Sequence, residues 1–192
     1  MIRPAERGTG LAELLVGTAL GLVVLSLLTF AVATGSRLLA ACGARGEAED
    51  TAHLALEAFA FDARRAGYDP AAAGVAALAE ARGDRIGLSA DLDGDGTVDG
   101  SSEESIVHAC ALATARLSRI VGRQSMPLAE GVTGCGFRYL DASGARISVP
   151  ATGLDAGARA AVAAVALDLT LVPAGLRGRT ERSVVVALRR HP

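Results

Sequence analysis

The first strong feature of the chain is an uncharged apolar run near its N-terminus. Residues 14–36 contain no Asp, Glu, Lys or Arg. As an α-helix with a rise of about 1.5 Å per residue they would extend roughly 35 Å, which is long enough to cross a bilayer. Arg3 and Arg7 precede the run, and by the positive-inside tendency they place the short N-terminus in the cytoplasm. The pattern predicts a transmembrane segment over residues 9–36, with the rest of the chain exported.

Beyond Ser36 the helical pattern continues but becomes amphipathic. Apolar residues recur at steps of four and three positions, and most charged residues fall between them. The apolar stripe is made of Ala52, Leu56, Phe59, Ala63 and Ala66. The charged set is Glu47, Glu49, Asp50, Glu57, Asp62, Arg64 and Arg65. Gly67 and Pro70 are stop signals, so the sequence predicts an amphipathic second half of the same helix over residues 37–67.

The remaining residues, 68–192, follow the pattern of strands and turns. Val165, Leu167 and Leu169 alternate with smaller or polar residues, as in a half-buried strand. Predicted strands cover residues 85–90, 105–114, 116–121, 132–140, 160–172 and 183–189. Because no helical pattern separates them, an antiparallel sheet is favoured. The sequence predicts an α+β fold in which a long N-terminal helix, membrane-spanning in its first half, packs on an antiparallel β-sheet domain.

Composition and charge exclude several kinds of function. The formal net charge is −2 without a dense basic cluster, so we expect no nucleic-acid partner. Aromatic residues make up only 3% of the chain, which offers no recognisable platform for sugars and so weakens an interpretation as an adhesin. His53, His108 and His191 are scattered, no local nucleophile motif or phosphate loop is present, and we therefore expect no enzyme. His108, on an apolar strand, is interpreted as a structural residue.

One charge at the edge of the apolar run needs an explanation. A carboxylate such as that of Glu13 costs at least about 2.5 kcal/mol at a bilayer centre and less near its edge. In one interpretation Glu13 lies at the cytoplasmic interface and reaches water. In the other, cleavage between Gly8 and Thr9 creates an α-amino group one helical turn before Glu13. That amine could pair with Glu13 or with the carboxylate of a neighbouring subunit.

The start of the chain resembles the N-terminal signature of type IV pilins and pseudopilins: a charged leader ending in Gly, Glu at the fifth mature position, and a continuous apolar helix. The matching positions are Gly8, Thr9, Leu11, Glu13, Leu14 and Leu15. Thr9 departs from the usual Phe, and Gly10 from the common Thr. The later segments "FDARRAGYDP", "GVTGCGFRYLDASG" and "VVVALRR" resemble in their order the PilW-like minor pilins and the larger minor pseudopilins of type II secretion.

This resemblance implies a prepilin whose leader, residues 1–8, is removed by a prepilin peptidase, with methylation of the new N-terminus. The protein would lie in the inner membrane with a periplasmic C-terminal domain, and an inner-membrane assembly platform would add it to a type IV pilus or pseudopilus beside other pilin or pseudopilin subunits. Glu13 would neutralise the Thr9 amine of a neighbouring subunit, and a large minor subunit would prime or cap the fibre. The alternative is an uncleaved single-pass membrane protein with a periplasmic calcium- or ligand-binding domain.

The stretch "DLDGDGTVDGSSEE", residues 91–104, is rich in oxygen ligands of the kind that Ca²⁺ prefers. In an EF-hand-like numbering the candidates are Asp91, Asp93, Asp95, Thr97 and Asp99, with Glu103 or Glu104 displaced from the twelfth position, which is Ser102. No flanking helix pair is predicted. Two interpretations remain open, a calcium site in a loop and a solvated Asp/Gly turn between strands.

The cysteines allow one pair. Cys110 and Cys135 lie on predicted strands of the exported part, and the resemblance implies a disulfide because pilin-like domains often contain one. The alternative is a pair of buried free thiols that pack as small apolar side chains. Cys42 is then left over.

Overall fold

The computed structural model describes residues 10–172 and 178–189, and its fold is α+β, as the sequence predicts. Gly8, Thr9 and His191 lie outside the described residues. The chain divides into two compact units, residues 1–43 and 44–192. The predicted boundaries at residues 8, 36 and 67 stay predictions.

Helix α1 (Leu11–Arg65) is continuous over 55 residues. In the first unit, residues 11–40 are exposed, and an 18-residue window reaches a mean hydropathy of 2.4. The helix is long and apolar enough to cross a membrane. Hydroxyl groups within this segment donate to carbonyls one turn back, with Thr18 Oγ1 at 3.0 Å from the Leu15 oxygen and Ser26 Oγ at 2.7 Å from the Leu22 oxygen. Such bonds satisfy the hydroxyls without water.

Among its described residues, the second unit contains the end of α1, nine strands and a short helix. The strands are β1 (Leu78–Ala81), β2 (Arg85–Ser89), β3 (Ser105–Ala111), β4 (Arg116–Val121), β5 (Gln124–Glu130), β6 (Val132–Leu140), β7 (Arg146–Ile147), β8 (Ala164–Leu171) and β9 (Thr180–Ala187). A 3-10 turn (Leu112–Thr114) follows β3, and helix α2 (Ala156–Ala161) precedes β8.

These strands form two antiparallel sheets, whereas the sequence predicted one. Sheet A has the order β1-β2-β3-β4-β5, and sheet B has the order β7-β6-β8-β9. Pro127 in β5 explains why sheet A stops there, because proline lacks the N–H that a further strand would need. After Gly131, whose φ of 71° is favourable for glycine, the chain enters β6 and pairs with β8.

The strand expected over residues 85–90 ends one residue earlier, at Ser89, and three other predicted strands differ more from their bounds in the structure. The strand expected over residues 160–172 begins only at Ala164, because Asp155 caps α2 by accepting a hydrogen bond from the Ala158 N–H at 2.8 Å. The strand expected over 105–114 ends at Ala111, before the 3-10 turn. The strand expected over 183–189 is shifted toward the N-terminus as β9.

The core lies where residues 44–65 of α1 meet the inner faces of both sheets. All five residues of the predicted apolar stripe, Ala52, Leu56, Phe59, Ala63 and Ala66, are buried. The ring of Phe59 lies 5.3 Å from the His108 ring of β3 and 5.7 Å from the Phe137 ring of β6. One helix residue therefore contacts both sheets.

A disulfide also joins the two sheets. Cys110 of β3 and Cys135 of β6 are bonded, with their Cα atoms 5.7 Å apart, which confirms the implied pairing. Beside it the Phe137 N–H donates to the Gly83 oxygen at 2.8 Å, and the Tyr139 hydroxyl donates to the Arg82 oxygen at 2.8 Å. Burial raises the pKa of Tyr139, so this hydroxyl keeps its proton.

The disulfide is expected to stabilise the second unit. It closes a loop with a sequence separation of 25, for which chain entropy predicts about 3 kcal/mol in the free energy of unfolding. We expect Cys110→Ala/Cys135→Ala to lose stability of this order in denaturant unfolding of the full chain, whereas Cys42→Ala, an exposed free thiol, leaves it unchanged. Non-reducing peptide mapping should recover the linked peptides. Alkylation of both thiols without reductant would contradict the bridge.

Candidate functional site

The loop between β2 and β3 is shaped by carboxylates that accept backbone hydrogen bonds. Asp91 accepts from the N–H groups of Gly94 at 2.7 Å and Gly96 at 2.9 Å. Glu104 accepts from the N–H groups of Leu92 at 2.8 Å, Asp93 at 3.2 Å and Asp99 at 2.9 Å. Asp91 begins the loop and Glu104 ends it, and both are buried. The loop is therefore closed around two carboxylates.

Two glycines make this path possible. Gly94 and Gly96 both have φ of 81°, a conformation that side chains with a Cβ rarely adopt. Their N–H groups are the two that bind Asp91. The spacing "DGDG" thus positions the donors of the turn as well as its acids.

The structure brings only part of the predicted calcium set together. Ligand oxygens of Asp91, Asp93 and Glu104 lie within 4.8 Å of one another. Asp95 instead accepts hydrogen bonds from Thr97, and Asp99 accepts them from Ser101, each within its own tight turn. Three carboxylates, two buried and one exposed, therefore form the part of the loop that could hold a metal ion.

The electrostatics of this cluster depend on peptide groups. Hydrogen bonds from the N–H groups of Asp99 and Leu92 hold the pKa of Glu104 below its ordinary value. Glu104 is therefore ionised at neutral pH. Both buried carboxylate side chains, Glu104 and Asp91, therefore accept hydrogen bonds from peptide N–H groups of the loop itself.

The remaining predicted ligand, Glu103, belongs to a second cluster. Its carboxylate accepts from Arg119 Nη1 of β4 at 3.1 Å and from Arg65 Nη2 of α1 at 3.3 Å. Arg119 also binds Asp62 of α1, with Nε 2.7 Å from Oδ2 and Nη2 3.2 Å from Oδ1. The Nε2 atom of His108 lies 2.9 Å from Asp62 Oδ2. The four charged residues and this histidine are called the Asp62 network below.

The central carboxylate of the network is ionised despite its burial. The side chain of Asp62 is 2% exposed. Burial raises its pKa, but hydrogen bonds from His108 and Arg119 together outweigh burial, and the pKa lies below its ordinary value of 3.8. The hydrogen bond with Arg119 likewise lowers the pKa of Glu103. Bonds to both carboxylates raise the pKa of Arg119, which is permanently charged.

His108 has the structural position that the sequence suggested. It is fully buried, and its ring meets the Phe59 ring edge-on. Its Nδ1 atom has no hydrogen-bond partner among the described residues. The ring is buried, and its Nε2 atom contacts the Asp62 carboxylate.

Sequence reasoning placed Asp62 among the polar residues of the helix and did not consider Arg119. A signal was available, because Asp62 comes three positions after Phe59 and so falls on the same helix face. The pairing of His108 with Arg119 across β3 and β4 is a matter of strand register, which the sequence does not reveal.

The other predicted site lies in the first turn of α1. Glu13 is exposed there, and its N–H donates to the Gly10 oxygen at 2.9 Å. A carboxylate in a first helical turn is favoured by the helix dipole.

Comparison of the chain with protein-family models and with curated proteins finds no match in either set.

The Asp62 network predicts a specific pH dependence of stability. Because the folded pKa of Asp62 lies below 3.8, its stabilisation is present above that pH and is lost as the pH falls through the folded value. We expect Asp62→Asn to cost about 3 kcal/mol at pH 7, since Arg119 loses a buried partner, and to flatten the decline in stability below about pH 4. Denaturant unfolding at pH 7 and at pH 3 to 5 measures both effects.

The matched control is Glu57→Gln. Glu57 lies on the same helix but is exposed, and its one ion pair among the described residues is with His53, at 3.2 Å. Its loss should change stability by less than about 0.5 kcal/mol. If the two substitutions lower the free energy of unfolding by equal amounts, the Asp62 network does not stabilise the fold more than an exposed ion pair does.

Proposed function

We propose that the protein is a structural subunit of a type IV pilus or a related pseudopilus. The observation that carries this proposal is the division of α1. Its residues 11–40 are exposed and apolar with one acidic side chain at the first turn, and its last turns form the core of an α+β domain. An apolar helix surface of this length requires a lipid or protein environment. A pilin subunit has both environments in turn. Lipid surrounds its helix before assembly, and the helices of neighbouring subunits surround it afterwards.

In this proposal the role is mechanical and not catalytic. A prepilin peptidase removes residues 1–8 after Gly8 while the chain is held in the inner membrane with its second unit in the periplasm. The assembly platform then transfers it into a fibre of other pilin or pseudopilin subunits, where as a minor pilin it primes or caps the structure. Glu13 offsets the Thr9 amine of a neighbour, because an unpaired charge in an apolar fibre core is strongly unfavourable.

The first test follows the fate of the N-terminus and of Glu13. We expect the protein from cells with a prepilin peptidase to begin at Thr9 by N-terminal sequencing. Glu13→Ala should leave cleavage and membrane insertion intact and reduce incorporation into sheared fibres at least tenfold, since an unpaired amine in the fibre core costs several kcal/mol. Glu57→Ala, an exposed change in the second unit, is the control and should assemble normally.

An intact leader in cells with an active peptidase would favour the alternative, an uncleaved membrane anchor with a periplasmic binding domain. Normal incorporation of the Glu13→Ala protein would remove the proposed role of this carboxylate even if cleavage occurs.

The acidic loop supports a second candidate function, binding of Ca²⁺. The supporting observation is the convergence of Asp91, Asp93 and Glu104 within 4.8 Å. Carboxylate oxygens are the ligands that this hard cation prefers, and peptide carbonyls and water complete its shell in many loops. Since both buried carboxylates already accept peptide N–H groups, the ion would strengthen a loop that is formed in advance.

Calorimetry and thermal unfolding of the full chain in lipid nanodiscs test this candidate. We expect heat on titration with Ca²⁺ and, at about a hundredfold excess over Kd, a stabilisation of about 2.7 kcal/mol. Glu104→Gln should abolish both effects. Asp141→Asn changes another turn-forming carboxylate outside the cluster and should abolish neither. Absence of heat and of any shift at millimolar Ca²⁺ would leave the loop as a solvated turn.

A further inference from the structure

A groove in the second unit has no role in the proposals above. A cavity of about 440 Å³ lies between residues 74–78, helix α2 and the end of β9. The apolar residues along it include Val75, Leu78, Val162 and Leu188. A volume of this size is typical of sites that take a small ligand or a few side chains of a partner.

Two arginines line the same groove. Arg159 Nη1 donates to the Leu154 oxygen at 3.0 Å, and Arg189 Nε donates to the Arg64 oxygen at 3.3 Å. The Arg189 guanidinium also lies 5.6 Å from the ring centroid of Tyr68. Within residues 10–172 and 178–189, neither guanidinium forms an ion pair with a carboxylate. Their hydrogen-bond partners among these residues are uncharged carbonyls, so no ion pair there neutralises either positive charge.

The groove also offers unpaired backbone groups. Ala77 directs its carbonyl into sheet A, where it accepts from the Ser89 N–H at 3.1 Å. Within the part of the chain that the structure describes, the N–H of Ala76 and the carbonyl of Val75 make no hydrogen bond. These groups lie at the entry to β1, which is an edge strand. Edge backbone of this kind can bond to an incoming peptide.

We propose that this groove binds an acidic peptide segment of another polypeptide. The carboxylate lies between Arg159 and Arg189, an adjacent apolar side chain rests on Val75 and Leu78, and the peptide backbone bonds at Ala76. Charge complementarity selects the acid, and the backbone groups select a peptide over a simple amphipathic anion. The inference is independent of the fibre role and of the calcium loop.

The test uses the full chain in lipid nanodiscs and a set of acetylated pentapeptide amides. Each peptide has Glu at its centre and Ala, Val, Leu or Phe on either side, and each has a twin with Gln in place of Glu. We expect at least one Glu peptide to bind at least tenfold more tightly than its twin by calorimetry, because an arginine pair favours an ionised acceptor. Binding should weaken as salt increases.

Variants of the protein locate the site. Arg159→Gln should weaken binding of the Glu peptide at least tenfold, whereas Arg123→Gln, which removes an exposed charge between β4 and β5, should leave it unchanged. The comparison of each peptide with its twin is made on the unaltered protein, so it stands even if Arg159→Gln does not fold.

Several outcomes would overturn the proposal. These are binding of no Glu peptide at millimolar concentration, equal binding of the Glu and Gln twins, and Glu binding that is insensitive to Arg159→Gln. Binding of decanoate without any peptide would assign the groove to a lipid. Self-association that Arg159→Gln abolishes, again without peptide binding, would assign it to a second copy.

Discussion

A carboxylate is buried on the helix face that packs against the sheets, and the arrangement of the second unit depends on its partners. An isolated charge in such a position costs several kcal/mol, whereas one that is paired and hydrogen-bonded is tolerated. Arg119 and His108 come from adjacent strands and both reach Asp62. Rotating α1 by one residue would turn Asp62 about 100° away from them. It would also remove Phe59 from its place between the sheets, so polar and apolar contacts select the same helix position.

Two adjacent glutamates at the end of the acidic loop have different hydrogen-bond partners. Glu104 turns inward and gathers the N–H groups of the loop, while Glu103 turns to the arginines of the Asp62 network. Only one peptide bond separates Glu104 from Glu103, whose carboxylate accepts a hydrogen bond from Arg65 of α1. A change in the loop conformation at Glu104 therefore acts within one residue of an ion pair that contacts α1.

The helix and several strands were predictable because their patterns are local. The stripe from Ala52 to Ala66 marked the buried helix face, and the bounds of β4 and β6 matched the predicted strands. The missed strand β5, "QSMPLAE", contains Pro127 and lacks clear alternation. The split into two sheets and the partition of Glu103 from Glu104 depend on contacts between residues far apart in sequence, which periodicity does not encode. The burial of Asp62 was also missed. Its charge placed it with the exposed residues of the helix, although its position lies on the buried face.

The covalent link between the sheets has a consequence for a chain under tension. If force is applied between α1 and β9, strands β4 and β5 lie within the loop that Cys110 and Cys135 close. Those residues cannot be drawn out while the sulfur bond persists. At about 3.4 Å per residue, some 80 Å of contour is thereby withheld from extension. The bond thus limits how far the stretched chain can lengthen before a covalent bond must break.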